Sequence, residues 1–197
     1  MTDIEFFLKA LELKDEKRTG WELRNIEDPE SVADHSWGAA TLCMLHGDKE
    51  NVNVNRCVQM ALVHDLAETE TGDLVTRVKS EAQEINKEDK EKLEQEVMER
   101  LVDNIEETEI LEVWKEYEER KTPKAQFVKD MDMIDMCLQA LKYGKQQRYN
   151  PKEDNENFLE YDNLDEFFAT TEPRLSTSTA KKLFQEIRQR YEDAKEK

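Results

Sequence analysis

The chain has 197 residues, 37% of them hydrophobic and 39% charged, with 5 glycines, 4 prolines and a formal net charge of −18. That length fits one domain around a single core, and so few turn formers exclude a sandwich or barrel with many hairpins, leaving an all-α fold as the economical reading. So acidic a surface repels phosphate backbones and anionic membranes, and no stretch approaches the ~18 apolar residues of a membrane span, so neither a nucleic-acid nor a membrane partner is expected.

From the N-terminus, Ile4, Phe7, Leu8 and Leu11 recur at helical spacing and predict a helix over residues 3–13. Residues 14–30 are charged, carry Gly20 and Pro29 as breaks, and read as a connection. A second helix opens near Ser31, where Asp34 three residues on resembles a capping box, and runs to about His46. Trp37 reads as core, and His46, before Gly47, as a structural residue favoured by the helix C-terminal dipole. Residues 55–68 look like a buried helix ending in polar groups, closed by Gly72, with a polar loop over 73–86. Leu93, Val97, Leu101 and Ile105 place one or two exposed helices within 87–120. A helix over about 124–144 puts Phe127, Met131, Ile134, Leu138 and Leu141 on one face. An acidic loop follows over about 145–174, with a short helix at 164–169, and a last helix spans about 175–195. Residues 1–197 thus read as one domain with a core over about 4–144. The N-terminus lacks the basic region of a signal peptide, and Cys43, Cys57 and Cys137 show no pairing or metal-like spacing, which points to a reducing, cytoplasmic location.

Chemistry concentrates where the helix Ala61-Leu62-Val63 runs into His64-Asp65-Leu66-Ala67-Glu68. A buried carboxylate costs several kcal/mol unless it is paired or coordinated, and no Lys or Arg lies at helical pairing distance on the C-terminal side. A cation is the natural compensation; a hydrogen-bonded polar patch at the end of a core helix is the plainer reading. A second histidine, His35, sits in the first turn of another helix beside Asp34, and His with carboxylate suits Mn, Fe, Co, Ni or Zn. Three acids, Asp130, Asp132 and Asp135, crowd a later helix. Asp132 and Asp135 flank its apolar row on opposite sides and Asp130 lies further round, towards solvent, so helical geometry does not choose between the first two.

Glu30-Ser31-Val32-Ala33-Asp34-His35-Ser36, Ala61 to Glu68 and Thr71-Gly72-Asp73 together resemble the HD-domain superfamily, and within it the branch of small 5′-deoxynucleotidases. The resemblance covers roughly residues 4–144. It implies an all-helical, generally dimeric enzyme that removes the 5′-phosphate of deoxynucleoside monophosphates with one divalent metal ion (Mn, Co, Mg, Ni, Fe or Zn). By the same resemblance His35, His64, Asp65 and Asp132 match the metal ligands, and Glu68 and Asp73 match acids used in catalysis or at the substrate. Lys17-Arg18-Thr19-Gly20-Trp21 resembles the stretch that brings an Arg and a Trp to the nucleotide. Arg18 can fork onto phosphate and Trp21 can offer a flat wall, although Trp21 also reads as core packing. The alternatives are an HD hydrolase of a nucleoside triphosphate, guanosine polyphosphate or cyclic dinucleotide, a non-catalytic metal- or nucleotide-binding protein, or a helical interaction protein. The retained ligands and Glu68 argue against a non-catalytic protein, and the short chain against the larger substrates.

Overall fold

The computed structural model describes residues 2–75, 77, 85–103, 105, 108–149 and 161–195, and among them it is all-α, with one isolated bridge between Lys17 and Ser31. The elements in order are α1 (Asp3–Leu11), α2 (Thr19–Glu22), α3 (Val32–His46), α4 (Val54–Val63), α5 (Glu68–Thr71), α6 (Lys87–Val102), α7 (Ile110–Glu119), α8 (Pro123–Gln146), α9 (Asp165–Thr171) and α10 (Ser178–Lys195). Short 3₁₀ turns follow α1, α3 and α9. Parts of the expected polar loop at 73–86 and of the acidic loop at 145–174, namely 76, 78–84 and 150–160, lie outside the described residues. No helix is long and apolar enough to cross a membrane among the described residues.

The helix starts follow from local chemistry. Thr2 and Ser31 each form a reciprocal capping box, with Glu5 and Asp34, while Asn53, Asn86 and Thr122 accept from the backbone three residues on. Pro123 sits where its missing N–H costs nothing.

At the centre lies α8, which packs against α3, α4, α7, α9 and α10. The sequence suggests one apolar face for this helix, but burial extends nearly all round it: Phe127, Val128, Met131, Met133, Ile134, Cys137 and Ala140 are all inaccessible. Leu138, placed on the apolar face by periodicity, is 36% exposed instead. Asp130 is buried rather than facing solvent, because its carboxylate accepts hydrogen bonds from the backbone N–H and hydroxyl groups of Ser176 and Thr177 at 2.6–3.2 Å. That anchoring also explains why α10 begins at Ser178 rather than near 175.

Three further expectations change. The first helix ends at Leu11, and its row of Ile4, Phe7, Leu8 and Leu11 faces solvent while Phe6 makes the buried contact. Trp37 is 69% exposed, not core, since the buried face of α3 is carried by His35, Ser36, Ala39, Ala40 and Cys43. The predicted helix over 55–68 breaks at Val63: Leu66 N–H donates to Val63 and Glu68 N–H to Asp65, so His64 to Ala67 form tight turns before α5.

Candidate metal centre and cleft

Extended pairing carries residues 16–18 to the start of α3. Val32 N–H donates to the Glu16 carbonyl at 2.9 Å and Arg18 N–H to the Glu30 carbonyl at 3.1 Å. Arg18 is thereby held beside His35, one turn into α3, and α8 packs across both. The break after Val63 supplies the third component. On a regular helix His64 and Asp65 would diverge by ~100°. In the turn, Asp65 Oδ2 comes within 3.1 Å of His64 Nε2 and 3.9 Å of His35 Nε2. Trp114 Nε1 caps the turn by donating to the His64 carbonyl at 3.1 Å.

Donor atoms of His35, His64 and Asp132 lie within 4.8 Å of one another. His35 Nε2 is 3.1 Å from Asp132 Oδ1, and behind the ring its Nδ1–H donates to Asp135 Oδ2 at 2.8 Å. Asp135 thus lies behind His35, while Asp132 lies at the cluster. Asp132 Oδ2 accepts from the Tyr117 hydroxyl at 2.8 Å and from Lys129 Nζ at 2.6 Å, which leaves Oδ1 directed at the histidines. Space for Asp135 depends on Gly38, since a Cβ there would stand 2.1 Å from Asp135 Oδ1.

The electrostatics favour positive charge at the cluster. Burial and Arg18 push the His35 pKa down, but Asp132 and Asp135 outweigh them and raise it to about 10. Burial pushes Asp65 and Asp132 up, yet their neighbours, His64 and Arg18 for one and Lys129 and His35 for the other, hold both below the usual carboxylate range. His64 Nδ1 donates to the Ala61 carbonyl at 2.8 Å, which turns Nε2 towards the cluster. Buried and without a hydrogen-bond partner, Nε2 lies 3.1 Å from a carboxylate oxygen of Asp65. A cation shared by the two would satisfy both. Two imidazoles and two carboxylates fit a divalent cation of the Mn, Fe, Co, Ni or Zn type.

Glu68 closes one side of the cluster. It is buried, its Oε2 has no hydrogen-bond partner, and Arg18 approaches only to 3.9 Å. Burial, reinforced by the charges of Asp65 and Asp73, holds its carboxyl well above the usual range, which favours the protonated acid. Asp73 accepts from Thr19 N–H at 2.7 Å and from Arg18 at 3.2 Å, and Arg18 also reaches Asp65 at 3.2 Å.

These residues line a cleft of about 700 Å³, open to solvent. Its far wall is Trp21, only 1% exposed, with its ring stacked on Phe167 at 4.0 Å and its Nε1 donating to Glu30 at 2.9 Å. Trp21 therefore both packs and borders the cleft. Tyr117, Lys90, Phe167, Thr170 and Arg174 are site neighbours that sequence reasoning does not reach, while Lys129 carries a weak signal, three residues before Asp132 on the same helix face.

Residues 10–172 match the HD domain family. Over 144 residues the chain is 42% identical to a 5′-deoxynucleotidase, HDDC2, of Xenopus laevis, covering 71% of this chain and 68% of that one. A conserved hypothetical protein from Pyrococcus furiosus superposes with a TM-score of 0.73 at 27% identity, over 95% of this chain and 99% of that one. A predicted metal-dependent phosphohydrolase from Magnetospirillum magnetotacticum gives 0.65 at 26% identity, over 97% and 90%.

Proposed function

The chain belongs to the HD domain family, and from that premise we propose that it is a metal-dependent phosphohydrolase removing the 5′-phosphate from deoxynucleoside monophosphates. The observation that carries the reading is the buried Nε2 of His64, without a hydrogen-bond partner and 3.1 Å from Asp65, beside His35 and Asp132, where Asp65 and Asp132 line an open cleft. His35, His64, Asp65 and Asp132 would hold one divalent ion, which supplies Lewis acidity towards the phosphate and makes a water more acidic.

The surrounding residues do the rest. Glu68, kept protonated by its burial, donates its proton to the departing 5′-oxygen. Asp135 fixes the His35 ring by accepting its Nδ1–H, and Tyr117 and Lys129 orient Asp132. Arg18 borders the phosphate position while holding Asp65 and Asp73. Asp73 keeps α2 against the cleft through Thr19, close to where the sugar would lie, and Trp21 with Phe167 walls off the nucleoside side.

Five of the described helices pack on α8 and α6 joins them through α7, which supports a single domain over 1–197. Ile4, Phe7, Leu8 and Leu11 on α1 leave an apolar row in solvent, which supports a homodimer in which a second copy covers it. Three buried free thiols suit a reducing, cytoplasmic location.

The test is phosphate release from ribo- and deoxynucleoside 5′-monophosphates by purified protein with Mn, Co, Mg and Ni. Turnover is expected with at least one metal, lost in His64→Ala and reduced at least 100-fold in Glu68→Gln, about the share of a positioned proton donor. No turnover with any metal, or full activity in both variants, contradicts the reading.

A further inference from the structure

Arg174 closes the short turn Glu172–Arg174, just beyond the residues that match the family. It lines the cleft beside the metal cluster and also an adjoining cavity that reaches His64 and Asp65. Four cationic side chains line the first cleft: Arg18, Lys90, Lys129 and Arg174. Three are committed. Arg18 is held by Asp65 and Asp73, Lys129 by Asp132, and Lys90 by the Leu74 carbonyl and Glu94. Arg174 alone of the four has no hydrogen bond or ion pair from its side chain to any described residue. Its guanidinium therefore brings unspent donors to a space that must accept a phosphate dianion.

The turn that carries it is pinned. Leu175 is buried, and Ser176 and Thr177 each donate a backbone N–H and a hydroxyl to Asp130. Asp130 lies on α8 two residues before Asp132. One rigid helix thus sets both the proposed metal ligand and the anchor of the Arg174 turn.

We infer that Arg174 binds the phosphate group of the substrate, and the inorganic phosphate left after hydrolysis, with Asp130 as the positioning residue for its turn. The inference rests on the reading of the chain as a nucleotide phosphohydrolase. A charged hydrogen bond to phosphate is worth ~1.5–3 kcal/mol, so its loss corresponds to roughly a 10- to 100-fold change in affinity.

The experiment compares Mn-loaded wild type with Arg174→Met and Arg174→Lys. In the Met variant, KM for a deoxynucleoside monophosphate and the inhibition constant of inorganic phosphate are expected to rise about 10- to 100-fold. Lys restores part of the loss, while inhibition by the phosphate-free deoxynucleoside and Mn affinity stay as in wild type. Asp130→Asn is expected to weaken phosphate in the same direction with Mn affinity retained. A phosphate inhibition constant within twofold of wild type in Arg174→Met overturns the inference. If wild type turns over no nucleotide, the proposed function fails, and thermal shift of the Mn-loaded protein with inorganic phosphate decides this inference separately. A shift in wild type that Arg174→Met loses supports it; equal shifts in both, or none in wild type, overturn it.

Discussion

His35 is gripped from both ends, by Asp132 at Nε2 and Asp135 at Nδ1, and Gly38 one turn on provides the room. A methyl group at Gly38 would meet the Asp135 carboxylate at 2.1 Å, so Gly38→Ala should push Asp135 off the ring. Removing such a partner of a metal-bound histidine costs about 10- to 100-fold in metal affinity. Calorimetric titration of Gly38→Ala with Mn is expected to show a loss in that range, and unchanged affinity would mean Asp135 does not hold the ring. The sequence shows three acids on this helix but not their assignments. Which of them faces the cluster, which stands behind His35 and which ties down the C-terminal turn depends on partners far along the chain.

A second residue-scale consequence concerns Glu94. Burial pushes its pKa up to about 7, with Lys90 at 3.4 Å only partly opposing. The folded protein therefore favours the protonated acid. Its contribution is full below about pH 4.5, falls as pH rises and the unfolded chain ionises first, and is lost by about pH 7, a change of about 3 kcal/mol. Glu94→Gln cannot ionise. It is expected to match wild type near pH 5 and to be more stable by ~1–3 kcal/mol at pH 8 in denaturant unfolding. A variant no more stable than wild type at pH 8 would show that Glu94 ionises without penalty.

At the scale of elements, α1 shows how periodicity can be right about a helix and silent about its partner. Ile4, Phe7, Leu8 and Leu11 do share one face, but that face is exposed and Phe6, with Ala10 one turn on, anchors the helix to the core. If the row meets a second copy, Phe7→Ser combined with Leu8→Ser should convert a dimer to a monomer in light scattering while leaving Mn affinity intact, since the metal cluster lies on other elements. A wild-type monomer removes the argument. The break of α4 at Val63 is a different case. Propensity continues the helix through Leu66 and Ala67, and tertiary bonds end it: Trp114 takes the His64 carbonyl, and the turn brings His64 and Asp65 together. On the C-terminal side, Phe167, Phe168 and Leu175 drive α9 and its turn against the core, so the short helix expected at 164–169 and the turn after it reach the cleft, which the sequence does not show.

For the molecule as a whole, a net charge of −18 repels a phosphate dianion until it comes within reach of the site. The screening length is ~10 Å at about 0.1 M salt and ~30 Å at about 0.01 M, so approach should be easier as salt rises. Between those limits kcat/KM for a nucleoside monophosphate is expected to rise a few-fold with kcat nearly unchanged. A fall would mean that the local field of the metal and Arg174 governs approach.

Composition and period were enough for an all-α protein, because few glycines and prolines and 3.6-residue spacing act locally. The capping of α3 at Ser31 and the pairing of His35 with His64-Asp65 were legible for the same reason: each is a short motif whose chemistry is read within one turn of helix. Tertiary structure decided what depends on two distant segments meeting. It set the places of Asp130, Asp132 and Asp135, the exposure of Trp37 and of the α1 row, and the arrival of Phe167 and Arg174 at the cleft. A side chain's surroundings are fixed by packing across the fold, and spacing along one helix cannot specify them.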